Sequence, residues 1–320
     1  MGPIRFGRPP LGAAGSASRS VPHQVDGAET DLGGIAGPWL VTVDGIELAT
    51  RSWPARGPAR AVVVLAHGLT ANKDEPRVVS LASELQQVGF EVIAYDSRGH
   101  GQSGGQCTLG DLERHDVAAA VEWARTRNSR VVLVGASMGA VAVLSYAASA
   151  KDLSGVVTVS SPGEWRLPFR IRSMITASLA RTRTGREFAR RRMNVRIAPW
   201  TSPESPRSLV ERVAFPLVVV HGRRDAIIPH GAGLAKVIRN GPRRSVVLVQ
   251  SMGHAFDPVG HRHICDSVTW ALEQDEALGT APSVAPDSLV PPRQSRVEAI
   301  PGPDGPRALT VAEACSQMEP

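Results

Sequence analysis

Along this chain, short and largely apolar runs alternate with stretches whose apolar positions recur every three to four residues. The runs are Ala61-Val62-Val63-Val64-Leu65-Ala66, Glu91-Val92-Ile93-Ala94-Tyr95, Val131-Val132-Leu133-Val134, Gly155-Val156-Val157-Thr158-Val159-Ser160, Leu217-Val218-Val219-Val220 and Ser245-Val246-Val247-Leu248-Val249. Their length and β-branched content predict strands buried on both faces. The periodic stretches predict helices over about 75–88 (closed by Gly89), about 109–127, after Ser137, near 232–239 and over about 261–273. Two short alternating runs, 40–43 and 46–49, meet at Asp44-Gly45 and predict a hairpin. Strand–helix alternation of this kind predicts an α/β fold, a doubly wound and mostly parallel sheet covered on both faces.

The ends break the pattern. Residues 1–37 are rich in Gly, Pro, Ala and Ser, and residues 278–320 are rich in Pro. Neither end buries enough apolar surface to offset ordering entropy, so both are expected to be disordered. One domain is expected over 38–277, and no internal repeat is found.

The most informative stretch is Gly135-Ala136-Ser137-Met138-Gly139, between a predicted strand and a predicted helix. A sharp strand-to-helix turn brings backbone together on both sides of the serine, which suits glycine at minus two and plus two. The turn lifts the Ser137 hydroxyl clear of the sheet at a helix N-terminus, where free N–H groups favour developing negative charge. A serine also needs a base and a group to orient it. Asp225 and His254 follow the strands beginning near Leu217 and Ser245. Loops at that edge of a parallel sheet are where sites assemble. The chain order Ser137, Asp225, His254 is the α/β-hydrolase order. The amides of Met138 and Leu69 are the expected oxyanion-hole donors, with Gly68 letting the loop turn. His67 is expected to brace that loop. None of this needs a cofactor or a metal. His261 and His263 face different sides of a helix and are not expected to share an ion.

These residues resemble the α/β-hydrolase superfamily. Within it the likeness is to the serine-hydrolase branch of monoacylglycerol lipases, carboxylesterases and serine aminopeptidase-like proteins. The resemblance runs from about Trp39 to about Gln274. It rests on His67-Gly68-Leu69-Thr70-Ala71-Asn72-Lys73-Asp74-Glu75, Asp96-Ser97-Arg98-Gly99-His100-Gly101-Gln102-Ser103, the Ser137 turn, and the Asp225 and His254 loops. The first block looks most like the oxyanion loop of feruloyl and cinnamoyl esterases. Ala136 stands where the family usually has His or Tyr, and Ala140 where a second Gly is usual. The resemblance implies that Asp96, Arg98, His100 and Ser103 are scaffold. It also implies a cap inserted at about 162–212.

That insertion holds twelve arginines, no lysine and four glutamates, against a whole-chain charge of +6. The basicity of the protein therefore belongs to it. Leu167, Ile171, Met174, Ile175 and Leu179 recur at helical spacing and predict an apolar face. Two readings stand: a solvated basic face, or a roof in which arginines such as Arg190, Arg191 and Arg192 favour an anionic ester or attract an anionic lipid surface. Poor aromatic interleaving argues against nucleic acid.

At 320 residues and 42% hydrophobic content the chain suits one large domain or two small ones, and no run is long enough to insert stably in a membrane. The first ten residues lack an apolar signal core. Cys107, Cys265 and Cys315 are odd in number and scattered, which argues against a disulfide framework. A cytoplasmic serine esterase follows as the expectation, acting on a small-molecule ester. Thioester, amide or acyl-transfer chemistry on the same machinery, or a non-catalytic binding module, remain as alternatives. The oligomeric state is left open.

Overall fold

The computed structural model describes residues 33–165 and 181–279. The N-terminal elements are β1 (Ile35–Ala36), β2 (Leu40–Val41), β3 (Glu47–Leu48), β4 (Thr50–Trp53) and β5 (Val62–Ala66). Next come α1 (Pro76–Gln87), β6 (Glu91–Tyr95), α2 (Glu113–Arg125), β7 (Val131–Ala136), α3 (Met138–Ala147) and β8 (Gly155–Val159). The insertion carries α4 (Arg183–Arg192) and α5 (Pro206–Glu211). The chain then forms β9 (Leu217–Gly222), β10 (Arg244–Val249) and α6 (His261–Gly279).

Eight strands form one sheet in the order β1-β4-β6-β5-β7-β8-β9-β10. From β6 to β10 every neighbouring pair is parallel, whereas β4 joins β6 and β1 joins β4 antiparallel. The alternation of side chains along a strand divides the core. Val62, Val64, Leu133, Val156 and Leu217 face one apolar layer with residues of α2 and α3. Val63, Leu65, Val132, Val134 and Val157 face the other, with residues of α1 and α6. Both faces are dry, which is why the strands read as largely apolar runs.

Local chemistry sets the ends of α1. The Glu75 carboxylate accepts from the amides of Arg77 and Val78, and Pro76 occupies the first turn, where its missing N–H costs nothing. Past the far end, Gly89 takes φ +94°, a conformation that glycine adopts freely. The Asp44-Gly45 hairpin pairs β2 with β3, with Gly45 at φ +78°.

Three boundaries differ from the sequence reading. The segment read as an N-terminal tail ends in β1, which pairs with β4 through Ile35–Ser52 and Ala36–Arg51. Helix α6 runs on to Gly279, beyond both the helix end near 273 and the domain end at 277. The helix expected near 232–239 is instead two 3-10 turns, His230–Ala232 and Leu234–Lys236, separated by Gly233 with φ −80° and ψ 162°. A Cβ there would lie 2.3 Å from the His221 ring, so only glycine passes that ring without a clash. The predicted apolar stripe Leu167 to Leu179 lies outside the described residues.

Candidate active site

All four predicted loops leave the same edge of the sheet, because β5, β7, β9 and β10 are parallel and each ends there. Ser137 caps α3 with φ 54° and ψ −111°, a left-handed backbone for a residue with a side chain. Such strain costs of order 1–3 kcal/mol and persists only where the surroundings enforce it. Here the flanking glycines are the enforcement. A Cβ on Gly135 would stand 2.3 Å from the Gly139 carbonyl oxygen, and one on Gly139 would stand 2.2 Å from the Ala66 carbonyl oxygen.

Asp225 follows β9 and is buried, and its Oδ2 lies 2.8 Å from Nδ1 of His254. Its other oxygen accepts from the amides of Ile227 and Ile228 at 2.9 and 2.8 Å. One carboxylate therefore shapes its own turn and holds the imidazole. Burial alone would raise its pKa, but the His254 bond, with help from the Ile228 amide and Ser160, holds it below the usual carboxylate value.

Ser137 and His254 line one cavity of about 500 Å³. Leu69, Phe188, Met193, Ile227, Ala255 and Phe256 give it apolar walls, while Glu75 and Arg77 lie at its α1 side. Among the described residues, neither the Leu69 amide nor the Met138 amide finds an acceptor. Gly68 does not adopt a left-handed φ, and a Cβ there would make ordinary contact, 3.5 Å from the Ser137 Cβ.

The second motif braces this loop. His67 spans the Gly68 carbonyl at 2.8 Å and the Ser97 amide, which donates to its Nε2 at 3.0 Å. Burial, with the neighbouring His100 adding, pushes the His67 pKa down to about 3, so the ring stays neutral. His100 Nε2 lies 2.7 Å from the Leu69 carbonyl. Asp96 accepts from the Lys73 and Gln102 amides at 2.8 and 2.9 Å, and Arg98 pairs with Asp116 and Asp44. Ser103 Oγ donates to the Asp96 carbonyl at 2.6 Å. Cys107 is buried, and its Sγ lies 3.3 Å from Met138 Sδ.

Two residues at the site escaped the sequence reading. Ser160, just past β8, is fully buried at φ 51°. Its Oγ accepts the Ala255 amide at 3.0 Å, and its hydroxyl is one of the groups that lower Asp225. It thereby ties the acid loop to the residue after the histidine. His221 is buried behind Asp225, its Nε2 2.9 Å from the Ile228 carbonyl and 3.7 Å from Oδ2 of Asp225. A Ser-Ser-Pro run and a His-Gly pair at strand ends were the available signals. His261, set aside as a metal ligand, packs its ring between Glu84 and the Phe256 carbonyl.

The arginines are distributed unevenly. Arg77, from α1, lines the Ser137 cavity, whereas Arg190 lines a separate one. Arg166, Arg170 and Arg172 lie outside the described residues.

Residues 57–199 match the family described as Serine aminopeptidase, S33. The chain is similar to the monoglyceride lipase of Rattus norvegicus, 32% identical over 132 residues, covering 38% of this chain and 42% of that one. It thus spans less than half of that relative's length. It is 25% identical to the uncharacterized protein YqkD of Bacillus subtilis, over 63% of this chain and 67% of that one. Among solved structures, the Pyrococcus furiosus esterase Pf2001 superposes with a TM-score of 0.56 at 21% identity, covering 81% of this chain and 96% of that one. With the sheet order and the Ser137 turn, these findings give the chain an α/β-hydrolase fold and a similarity to the serine-hydrolase side of that superfamily. No helix among the described residues is long and apolar enough to cross a membrane.

Proposed function

We propose that the protein hydrolyses carboxylic esters with Ser137 as nucleophile, His254 as general base and Asp225 as the residue that orients His254. One observation carries this reading. The buried Asp225 carboxylate fixes Nδ1 of His254, in a cavity that Ser137 also lines. With Nδ1–H donated to Asp225, Nε2 is the ring's free base. It takes the Ser137 proton as Oγ adds to the acyl carbon. The Leu69 and Met138 amides receive the oxyanion. Collapse breaks the acyl–oxygen bond, and His254 returns the proton to the leaving alcohol. Water then adds to the acyl-enzyme, giving its proton to His254, and the acid departs with Ser137 restored.

The apolar walls fit a hydrophobic acyl or alcohol group, and 500 Å³ lies within the range of small-molecule sites. The similarity to a monoglyceride lipase and to an esterase favours oxygen esters, while the matched family, described as serine aminopeptidase, keeps a peptide bond as the rival substrate. The insertion carrying α4 supplies Phe188 to the cavity and is read as its cap. Steady-state kinetics on matched ester, thioester and peptide substrates test the assignment. The oxygen ester should show the highest kcat/KM. A thioester or peptide preference would move the protein to another reaction on the same machinery.

A further inference from the structure

A second cavity, of about 330 Å³, shares no lining residue with the Ser137 cavity. Arg183, Arg186, Glu187 and Arg190 line it from α4, and Gln106, Arg196 and Ile197 complete it. The spacing 183, 186, 187, 190 places the four α4 residues on one helical face, while Phe188 points from another face into the Ser137 cavity. Four arginines and one glutamate line the second cavity, and Arg190 already holds that glutamate through both of its oxygens, which leaves Arg183 and the anchored Arg196 as the arginines the site turns on.

A solvated basic face needs neither a cavity nor an anchored arginine, and this site has both. Arg196 Nε donates to the Gly105 carbonyl at 3.1 Å, and the same guanidinium donates to the Ser103 carbonyl. Its backbone is held as well, through Arg196 N to the Gly99 carbonyl at 2.9 Å and Cys107 N to the Arg196 carbonyl at 2.7 Å. Two of five guanidinium donors are thereby used, and the rest remain for a ligand. Buried Ala189 seats α4 on an apolar cluster with Cys107, Met138, Val195 and Ile197, so the arginine face is carried by a packed helix. Glu187 is bonded by Arg190 and by Arg191 and offsets part of the charge. Arg191 and Arg192 do not line the cavity.

We propose that this cavity is a non-catalytic binding site for a phosphomonoester dianion. Planar guanidinium forks match phosphate oxygens. The volume exceeds that of one water, about 30 Å³, by enough to admit an organic body as well. Gln106 offers an amide to a hydroxyl on that body. The same chemistry occurs in a soluble phosphomonoester and in an anionic lipid headgroup.

The test uses the full chain at low salt with two probes. One is sn-glycerol 3-phosphate followed by titration calorimetry; the other is co-sedimentation with phosphatidylcholine vesicles doped with phosphatidic acid. The variant Arg183→Gln/Arg190→Gln is compared with Arg191→Gln/Arg192→Gln, which removes the same charge from the same helix outside the cavity. Melting curves check that both are folded. In whichever arm shows saturable binding, the first pair should weaken it about ten-fold or more, as expected for lost charge-assisted hydrogen bonds. The second pair should change it less than about two-fold. The responding arm identifies the source of the phosphate. Equal losses in the two pairs, or no saturable binding in either arm, would overturn the site.

Discussion

The Ala66 carbonyl oxygen lies 2.2 Å from where a Cβ on Gly139 would be. The strand that leads to the His67–Thr70 loop thus abuts the helix that follows Ser137. Gly139→Ala should therefore destabilise the protein by about 2 kcal/mol or more, since backbone must move to admit the methyl. Gly57→Ala, where nothing lies within 4 Å, should fall within about 0.5 kcal/mol of wild type. Urea denaturation of the two variants measures the contrast, and equal stabilities would show that the turn has slack.

The β1–β4 edge gives a second expectation. Arg51 donates to the Gly33 carbonyl at 3.1 and 2.8 Å, and Gly37 N donates to the Thr50 carbonyl at 3.1 Å. A chain starting at residue 38 loses these bonds and β1. It should be less stable than one starting at residue 33 by roughly 3 kcal/mol, at about 1 kcal/mol for each of these three hydrogen bonds. Indistinguishable melting temperatures would show that β1 adds nothing.

That edge also marks how far the sequence could be read. The central strands were legible because both faces are buried, so Val62 to Ala66 and Val92 to Tyr95 run apolar without alternation. Ile35–Ala36 and Thr50–Trp53 are short, at the margin, and mix Arg51 and Ser52 with Trp53, so no local pattern reveals them. At Gly233 a stretch read as helical passes the His221 ring, twelve positions away in sequence, too closely for any side chain, a contact that no local pattern reveals. The glycine spacing, serine turn and loop order pointed to Ser137, Asp225 and His254 as candidates, and the structure places Asp225 against His254, whose cavity Ser137 also lines. Ser160 stayed hidden because its importance comes from a long-range bond to Ala255.

Ser160 separates positioning from stability. At φ 51°, Ser160→Gly should be more stable than Ser160→Ala by about 1 kcal/mol, because glycine carries no Cβ penalty there. Both lose the hydroxyl, so both should show ester kcat reduced about ten-fold with KM little changed. Calorimetric melting and steady-state kinetics give the two readouts. Full kcat in the glycine variant would show that the hydroxyl does not position the acid and base loops.

His67 predicts part of the acid limb of stability. Its folded pKa is about 3, against about 6.5 for an unperturbed histidine. Between those values the unfolded chain binds a proton that the folded ring refuses, so stability rises with pH across that window. The contribution is fully present above about pH 6.5 and is lost as pH falls toward 3. His67→Asn should flatten the slope of unfolding free energy against pH there, whatever its effect at neutral pH. An unchanged slope would mean that His67 is protonated in the fold.

The most direct test of the central claim is covalent labelling by a fluorophosphonate, followed by peptide mass spectrometry. Wild type should carry one adduct, on Ser137. Labelling should fall by orders of magnitude in His254→Ala and disappear from folded Ser137→Ala, in parallel with ester hydrolysis. An adduct on another residue, or folded wild-type protein that hydrolyses esters without labelling at Ser137, would contradict the assignment of Ser137 as nucleophile.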